Sequence, residues 1–142
     1  MLAFTTRLPL AVMIATGIKQ WENRNAMPVP QKGMCAMTVS KSSSAMEYEN
    51  FLFWAYKAFP PGLFNLLPRW EQISEWRGKL VAVCDYDASC IPRPPIWNEG
   101  YKVWWHLTNI RLLDDPIQCR GNVGMWVIPD NIVSTIQRSF FQ

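Results

Sequence analysis

The sequence lacks most of the residues and motifs that mark common metal and cofactor sites. It contains a single histidine, His106, and its four cysteines form no C-x-x-C pair, so the ligand spacing of a zinc site is missing. Neither a G-x-x-x-x-G-K-[ST] loop nor a G-x-G-x-x-G loop occurs, which removes the main support for a nucleotide-binding fold of either type. We therefore expect no metal and no cofactor.

Long hydrophobic runs are also missing. The apolar run at 8–15 is too short to span a bilayer, and Ala15-Thr16-Gly17 is a poor signal-peptide cleavage site. The run fits a core helix instead, with Thr5 or Thr6 as its cap, Pro9 in its first turn and Gly17 at its end. We expect no membrane contact, a cytoplasmic location and reduced thiols.

A large excess of positive or negative charge is also missing. Fourteen basic and eleven acidic residues leave a net charge of +3, so any basic patch must be local rather than global. Eight tryptophans among 142 residues are the unusual abundance. Their rings provide core mass, but they also provide flat faces for stacking on bases. The length predicts one domain with a core of its own.

The hydrophobic patterns predict strands interleaved with short helices and no regular βαβ period. Beyond the first helix, the expected strands are 19–25, 34–40, 80–86, 104–113 and 124–128, and the expected helices are 46–59, 68–76 and 130–138. The proline-rich segments 26–33 and 87–100 are expected loops. The economical arrangement is an α+β fold, a small and mostly antiparallel β-barrel with short helices at its ends. It forms one domain over 1–142, with a helical insert at about 45–78.

The stretch GIKQWENR, residues 17–24, places three charges directly after the first helix. In a regular strand, Gln20, Glu22 and Arg24 would share one face, and Lys19 and Trp21 would share the other. A structural salt-bridge network and the floor of a binding site both fit this pattern.

An apolar helix followed by G-x-K-x-x-E-x-R resembles the opening signature of ASCH domains, in the PUA-like superfamily. Gly17, Lys19, Glu22 and Arg24 fill its four places. Further segments are similar to later parts of the family pattern: Lys32-Gly33, Ser40-Lys41, 80–83, 105–107, 116–117 and 121–126. The resemblance implies a PUA-like barrel with a cleft beside the first helix that binds RNA or a modified nucleobase or nucleoside.

Residue chemistry selects candidate ligand-binding side chains within that expected cleft. Lysines at 19, 32 and 41 are candidates for phosphate contacts, and Ser40 precedes an expected helix N-terminus, where free N–H groups and hydroxyls hold anions. Tryptophan rings are candidates for stacking on a base. The full expected set is Lys19, Trp21, Glu22, Arg24, Lys32, Ser40, Lys41 and Trp105.

An enzyme is the alternative interpretation. Some superfamily members hydrolyse acylated cytidine, and a ribonuclease activity is known in the family, so Lys19 and Glu22 are the candidate catalytic pair of a hydrolase acting on RNA or an N-acylated nucleoside. Glu22 stands where the amidohydrolase pattern has a threonine, which removes the hydroxyl nucleophile and favours binding. His106 is a candidate acid–base group.

Two further expectations concern partners. Aromatic residues in the insert suit a protein-interaction adaptor, although a cover for one end of the barrel explains them more simply. We expect a monomer or a weak dimer.

Overall fold

The computed structural model describes residues 1–24, 28–89, 103–122 and 124–140, with only the backbone of Asn23. The strands are β1 (Leu2–Thr6), β2 (Trp21–Arg24), β3 (Lys32–Val39), β4 (Lys79–Asp87), β5 (Val103–Gln118) and β6 (Met125–Val127). The helices are α1 (Leu8–Ala15), α2 (Ala45–Ala58), α3 (Pro61–Phe64), α4 (Trp70–Ile73) and α5 (Asp130–Phe140), and a 3₁₀ turn at Ser74–Trp76 follows α4. The α+β class expected from the sequence is confirmed.

The six strands form one mixed sheet that curls into a half-barrel, in the order β2-β5-β4-β3-β1-β6. Four of its five strand pairs are antiparallel, whereas β1 and β3 run parallel. The curl brings β2 against β1, because Arg24 donates a hydrogen bond to the Thr5 carbonyl at 3.1 Å. In a flat sheet these strands would lie about 19 Å apart, four spacings of roughly 4.8 Å.

The first helix follows a strand that the sequence pattern did not reveal. Thr5 and Thr6, expected as helix caps, end β1, and Arg7 is the residue that caps α1 with an extended backbone. Its carbonyl accepts the first helical hydrogen bond from Ala11. At the other end, Gly17 takes the left-handed conformation with φ of +80°, which confirms the predicted stop.

Both faces of the sheet are covered, so its central strands are apolar throughout. The concave face packs against α1 and α2 around Phe4 and Trp105, and the convex face packs against α5 around Ile136. This explains the uninterrupted hydrophobic sequences of β3 and β4.

The insert at 45–78 connects β3 to β4 and covers the core only in part. Tyr48 is buried and its hydroxyl donates to the Pro68 carbonyl, whereas Phe53, Trp54 and Tyr56 are exposed. Covering one end of the sheet therefore accounts for only some of its aromatic residues. The proline-rich segment around 92–95 and Cys90 lie outside the described residues.

Candidate functional site

A cleft of about 1110 Å³ opens at the end of the sheet where β1 and β3 finish. Five separate parts of the chain line it: the β1–α1 junction, β2, the β3–α2 junction, Gly78 just before β4, and the stretch from the end of β5 to the start of β6. Its floor and rim include Thr5, Arg7, Glu22, Arg24, Ser40, Lys41, Ser42, Arg120, Gly121 and Asn122.

Strand β2 supplies the floor. It pairs antiparallel with β5, so that Glu22 lies opposite Trp105 and Arg24 lies opposite Val103. Alternation along the strand turns Glu22 and Arg24 to the same side, into the curl of the sheet. The shared face predicted for these two residues is confirmed.

The predicted position of Lys19 was wrong. We expected it on the opposite face, but β2 begins only at Trp21, and Lys19 precedes the regular strand. Its backbone N–H donates to the Met13 carbonyl, and its ammonium donates to the Trp21 carbonyl and lies 3.9 Å from Glu22 Oε2. Only 4% of the residue is exposed, and it does not line the cleft.

The three charges of the motif form a buried ionic network. Arg24 Nε lies 3.0 Å from Glu22 Oε1, and the guanidinium also sits over the Phe4 ring, 5.6 Å from its centroid. Burial raises the pKa of Glu22 above its usual value and outweighs the opposing effect of Arg24 and Lys19. Burial likewise lowers the pKa of Lys19, although Glu22 opposes this. In the folded protein Glu22 therefore takes up a proton, and Lys19 releases one, more readily than in water.

Hydrogen bonding in this network is incomplete. Within the described part of the chain, Glu22 Oε2 and Trp105 Nε1 are buried without a hydrogen-bond partner, and the buried Arg24 Nε has only its ion pair with Glu22 Oε1. One acceptor, Glu22 Oε2, and one donor, Trp105 Nε1, therefore stay unsatisfied on two paired strands beneath the cleft. Such atoms are rare in folded proteins because each costs about 1–3 kcal/mol, more when charged.

Basic and hydroxyl side chains form one side of the rim. Arg7 binds both carboxylate oxygens of Glu47 at 2.5–2.9 Å and reaches the Ser42 hydroxyl at 3.1 Å. The hydroxyls of Ser40 and Ser42 lie 2.8 Å apart. Lys41, between them, is exposed. This junction therefore presents one cation held in place by Glu47 and a second that extends into solvent.

The opposite wall is the segment after β5, which lies against β1. Thr5 Oγ1 donates to the Asn122 carbonyl at 2.9 Å, and Trp126 Nε1 donates to Thr5 Oγ1 at 3.3 Å. Gly121 permits this approach, because a Cβ there would lie 2.6 Å from Thr5 Oγ1. Arg120, beside it, is exposed on the rim.

Of the predicted ligand-binding residues, the cleft brings together Glu22, Arg24, Ser40 and Lys41. Lys32 is not among them, because it begins β3 while Ser40 follows its far end, and eight strand residues separate the two by about 26 Å.

Neither predicted tryptophan lines the cleft. Trp105 is fully buried, packed against Phe4 and Tyr86. Trp21 stacks on His106 with ring centroids 4.6 Å apart, on the side of β2 away from Glu22. The strand pairing explains both positions, since the two residues occupy opposite faces of neighbouring strands.

The acid–base candidate His106 and two carboxylates of β4, Asp85 and Asp87, lie outside the cleft. His106 borders a separate hollow of about 400 Å³ beside Gly17 and Gln20. Asp87 accepts hydrogen bonds from the Ser89 backbone and hydroxyl, which lower its pKa. Asp85 accepts one from the Asn109 amide. Both carboxylates are local acceptors at the end of β4, as turn carboxylates commonly are.

Sequence reasoning missed Arg7, Arg120 and the hydroxyl of Thr5. In the sequence Arg7 is a single charge before the apolar run at 8–15, and no pattern distinguishes Arg120 from an exposed loop arginine. The one available signal was Gly121, which the family pattern includes at the start of its closing section.

Two classes of site are not found in the described ranges. These residues contain no group of three or more His, Cys, Asp or Glu side chains able to hold a metal ion. No helix in the same ranges is both long enough and apolar enough to cross a bilayer. Cys35 and Cys84 are buried free thiols on paired strands, with their sulfur atoms 3.5 Å apart.

Compared with known proteins, the chain matches no family model and no curated relative.

Proposed function

We propose that this chain is an ASCH-type binding module, a PUA-like barrel that holds single-stranded RNA or a nucleobase-containing ligand in the cleft. The observation that carries the proposal is the charge of the lining. Arg7, Arg24, Lys41 and Arg120 line the cleft, and Glu22 is the acidic residue among them. A cleft with this excess of cations attracts an anionic ligand.

Two of these cations are available to a ligand. Arg7 is engaged by Glu47 and Arg24 by Glu22, but no carboxylate among the described residues lies within ion-pair distance of Lys41 or Arg120. They stand at the β3–α2 junction and on the segment after β5, so a polynucleotide backbone lying in the cleft meets one on each side. Phosphate contacts of this kind provide affinity and position without reading sequence.

The hydrolase alternative rests on Lys19 and Glu22 as a catalytic pair. A buried carboxylate with a raised pKa suits acid–base chemistry. However, Lys19 donates to a backbone carbonyl and does not line the cleft, so it is not placed to polarise a substrate there. We therefore propose binding as the function.

Salt-dependent RNA binding tests the proposal. Fluorescence anisotropy with a labelled eight-nucleotide RNA, at several salt concentrations between 50 and 200 mM, is compared for the native chain and the double variant Lys41→Ala/Arg120→Ala. Each phosphate contact contributes about −0.7 to the slope of log K against log salt for a single strand. We expect the double variant to bind more weakly and its slope to be about 1.4 shallower.

The matched control is Lys32→Ala/Arg69→Ala, which removes the same charge from exposed positions that do not line the cleft. It should keep the native slope. Equal binding by the two double variants would refute the proposed cleft.

A further inference from the structure

The floor of the cleft carries an acceptor that the protein leaves incompletely satisfied. An ionised carboxylate offers about four acceptor positions on its two oxygens. Oε1 of Glu22 meets Arg24 at 3.0 Å, while Oε2 has no hydrogen-bond partner, and the nearest cation, Lys19 at 3.9 Å, donates to the Trp21 carbonyl instead. With its side chain 92% buried, Glu22 has little water to compensate for this. A ligand that donates N–H groups there would recover the lost hydrogen bonds.

The carboxylate can turn towards such a ligand. Glu22 lines the cleft, although Oε2 itself is covered. The last torsion of a glutamate is broad and roughly two-fold, so a rotation about it can turn both oxygens towards the cleft, and it alters the 3.0 Å contact between Oε1 and Arg24 Nε. Arg24 lies beside it on the same strand face, with Nε facing Glu22 and Nη2 donating to the Thr5 carbonyl, so its remaining guanidinium N–H groups are the donors at the edge of the same floor. The floor thus presents two acceptors followed by a donor.

Resting on the proposed function, we infer that the base held at the floor is guanine. Its Watson–Crick edge carries two adjacent donors, N1–H and the N2 amino group, followed by the O6 acceptor, in the order that matches Glu22 and then Arg24. Two parallel N–H bonds to one carboxylate are the strong, charge-assisted kind. In single-stranded RNA this edge is free to be read.

The other standard bases fit this floor less well. Adenine and cytosine each present one amino group next to a ring nitrogen that accepts hydrogen bonds, and that nitrogen would face the second carboxylate oxygen. Uracil presents one N–H between two carbonyl oxygens. In each case one carboxylate oxygen meets another acceptor, which is repulsive and leaves the buried charge unsatisfied.

Titration with single nucleotides tests the inference on the native protein. Calorimetry at pH 7 and constant ionic strength compares the 5′-monophosphates of guanosine, inosine, adenosine, cytidine and uridine. Inosine is the decisive ligand, because it keeps the ring, N1–H, O6 and phosphate of guanosine but lacks the N2 amino group. We expect guanosine monophosphate to bind about tenfold more tightly than each of the others, within the range of a good bidentate base contact.

A pair of variants locates the preference. Glu22→Gln replaces one acceptor oxygen by an amide donor, so the ratio between guanosine and inosine monophosphate should fall to less than about threefold. Glu49→Gln, which makes the same change at an exposed position of α2, should keep the tenfold ratio.

The outcomes separate this inference from the function on which it rests. If all five nucleotides bind alike and RNA binding still depends on Lys41 and Arg120, the guanine inference is wrong and the proposed function stands. A preference for another base, or one that survives Glu22→Gln, also overturns the inference. If neither the nucleotides nor RNA bind at all, both are wrong.

Discussion

At the scale of single residues, the three charged residues of the motif have different roles. Arg24 and Glu22 face the cleft, while Lys19 lies behind them and is almost completely buried. The motif pattern favoured a phosphate or base contact for Lys19, because Gly17 gives backbone access nearby. Its burial places it instead as a counter-charge that favours the ionised form of Glu22, and its hydrogen bond to the Trp21 carbonyl tethers the start of β2.

This position predicts that Lys19 matters for stability before it matters for binding. Replacing it by methionine keeps much of the aliphatic length but leaves Glu22 with one cation fewer in a buried site. Breaking a buried ion pair costs about 3–5 kcal/mol, so we expect Lys19→Met to lower the free energy of unfolding by about 3 kcal/mol in urea titrations.

Lys32→Met is the control, since Lys32 is exposed at the start of β3 and should change stability by less than about 0.5 kcal/mol. A loss below 1 kcal/mol for Lys19→Met would show that the buried ammonium is not needed to compensate Glu22.

At the scale of elements, the wall formed by the segment after β5 depends on how closely it approaches β1. Thr5 holds that approach with hydrogen bonds to Asn122, Trp126 and Thr38, and Gly121 leaves no side chain in the way. The wall therefore packs directly against β1.

Gly121→Ala tests this contact. The added Cβ would lie 2.6 Å from Thr5 Oγ1 and 3.1 Å from Thr38 Oγ1, and neither short side chain can swing away. Overpacking of this kind costs about 1–3 kcal/mol, and we expect that loss in thermal or urea unfolding together with weaker RNA binding, because the wall shifts.

Gly62→Ala is the matched control, because a Cβ there meets nothing within 4 Å and the residue lies in α3. It should be neutral or slightly stabilising, since alanine favours a helix more than glycine does. If the two alanine variants have the same stability and the same RNA affinity, the wall does not pack closely against β1.

The elements themselves could largely be predicted, because their hydrophobic periods are clear. The helix at 45–58, the strand at 79–87 and the terminal helix all lie within a few residues of the expected bounds. Strand β1 could not be predicted, because five residues before an apolar run carry little pattern of their own, and two threonines before a helix favour a cap. It is a strand because β3 and β6 pair with it from both sides, which is a tertiary effect.

The candidate site was predictable only where the sequence keeps its residues together. Glu22, Arg24, Ser40 and Lys41 belong to local motifs, and the cleft contains all four. Arg7 and Arg120 are 113 positions apart, and only the curl of the sheet and its strand order bring them to one rim. Trp105 was misplaced because Trp104 and Trp105 are adjacent in the sequence. Strand alternation shows that they point to opposite faces, but it does not show which face is the core.

At the scale of the whole molecule, the buried carboxylate links the cleft to the pH dependence of folding. The pKa of Glu22 is raised above 4.5 in the folded chain, mainly by burial. The folded state therefore binds more protons than the unfolded state from about pH 4.5 up to the folded pKa. Stability then falls as pH rises through this window. Asp87 has the opposite shift, and its effect lies below pH 3.8, in a separate window.

Comparison of the native chain with Glu22→Gln isolates this contribution. The glutamine does not titrate, and both proteins keep Asp87, so the effect of Asp87 cancels in the difference. We expect the free energy of unfolding of Glu22→Gln, relative to the native chain, to increase between pH 4 and pH 8, measured by urea titration at each pH. A difference that stays flat would mean that Glu22 titrates alike in the folded and unfolded states. A decrease would mean that Lys19 and Arg24 stabilise its charge more than burial destabilises it.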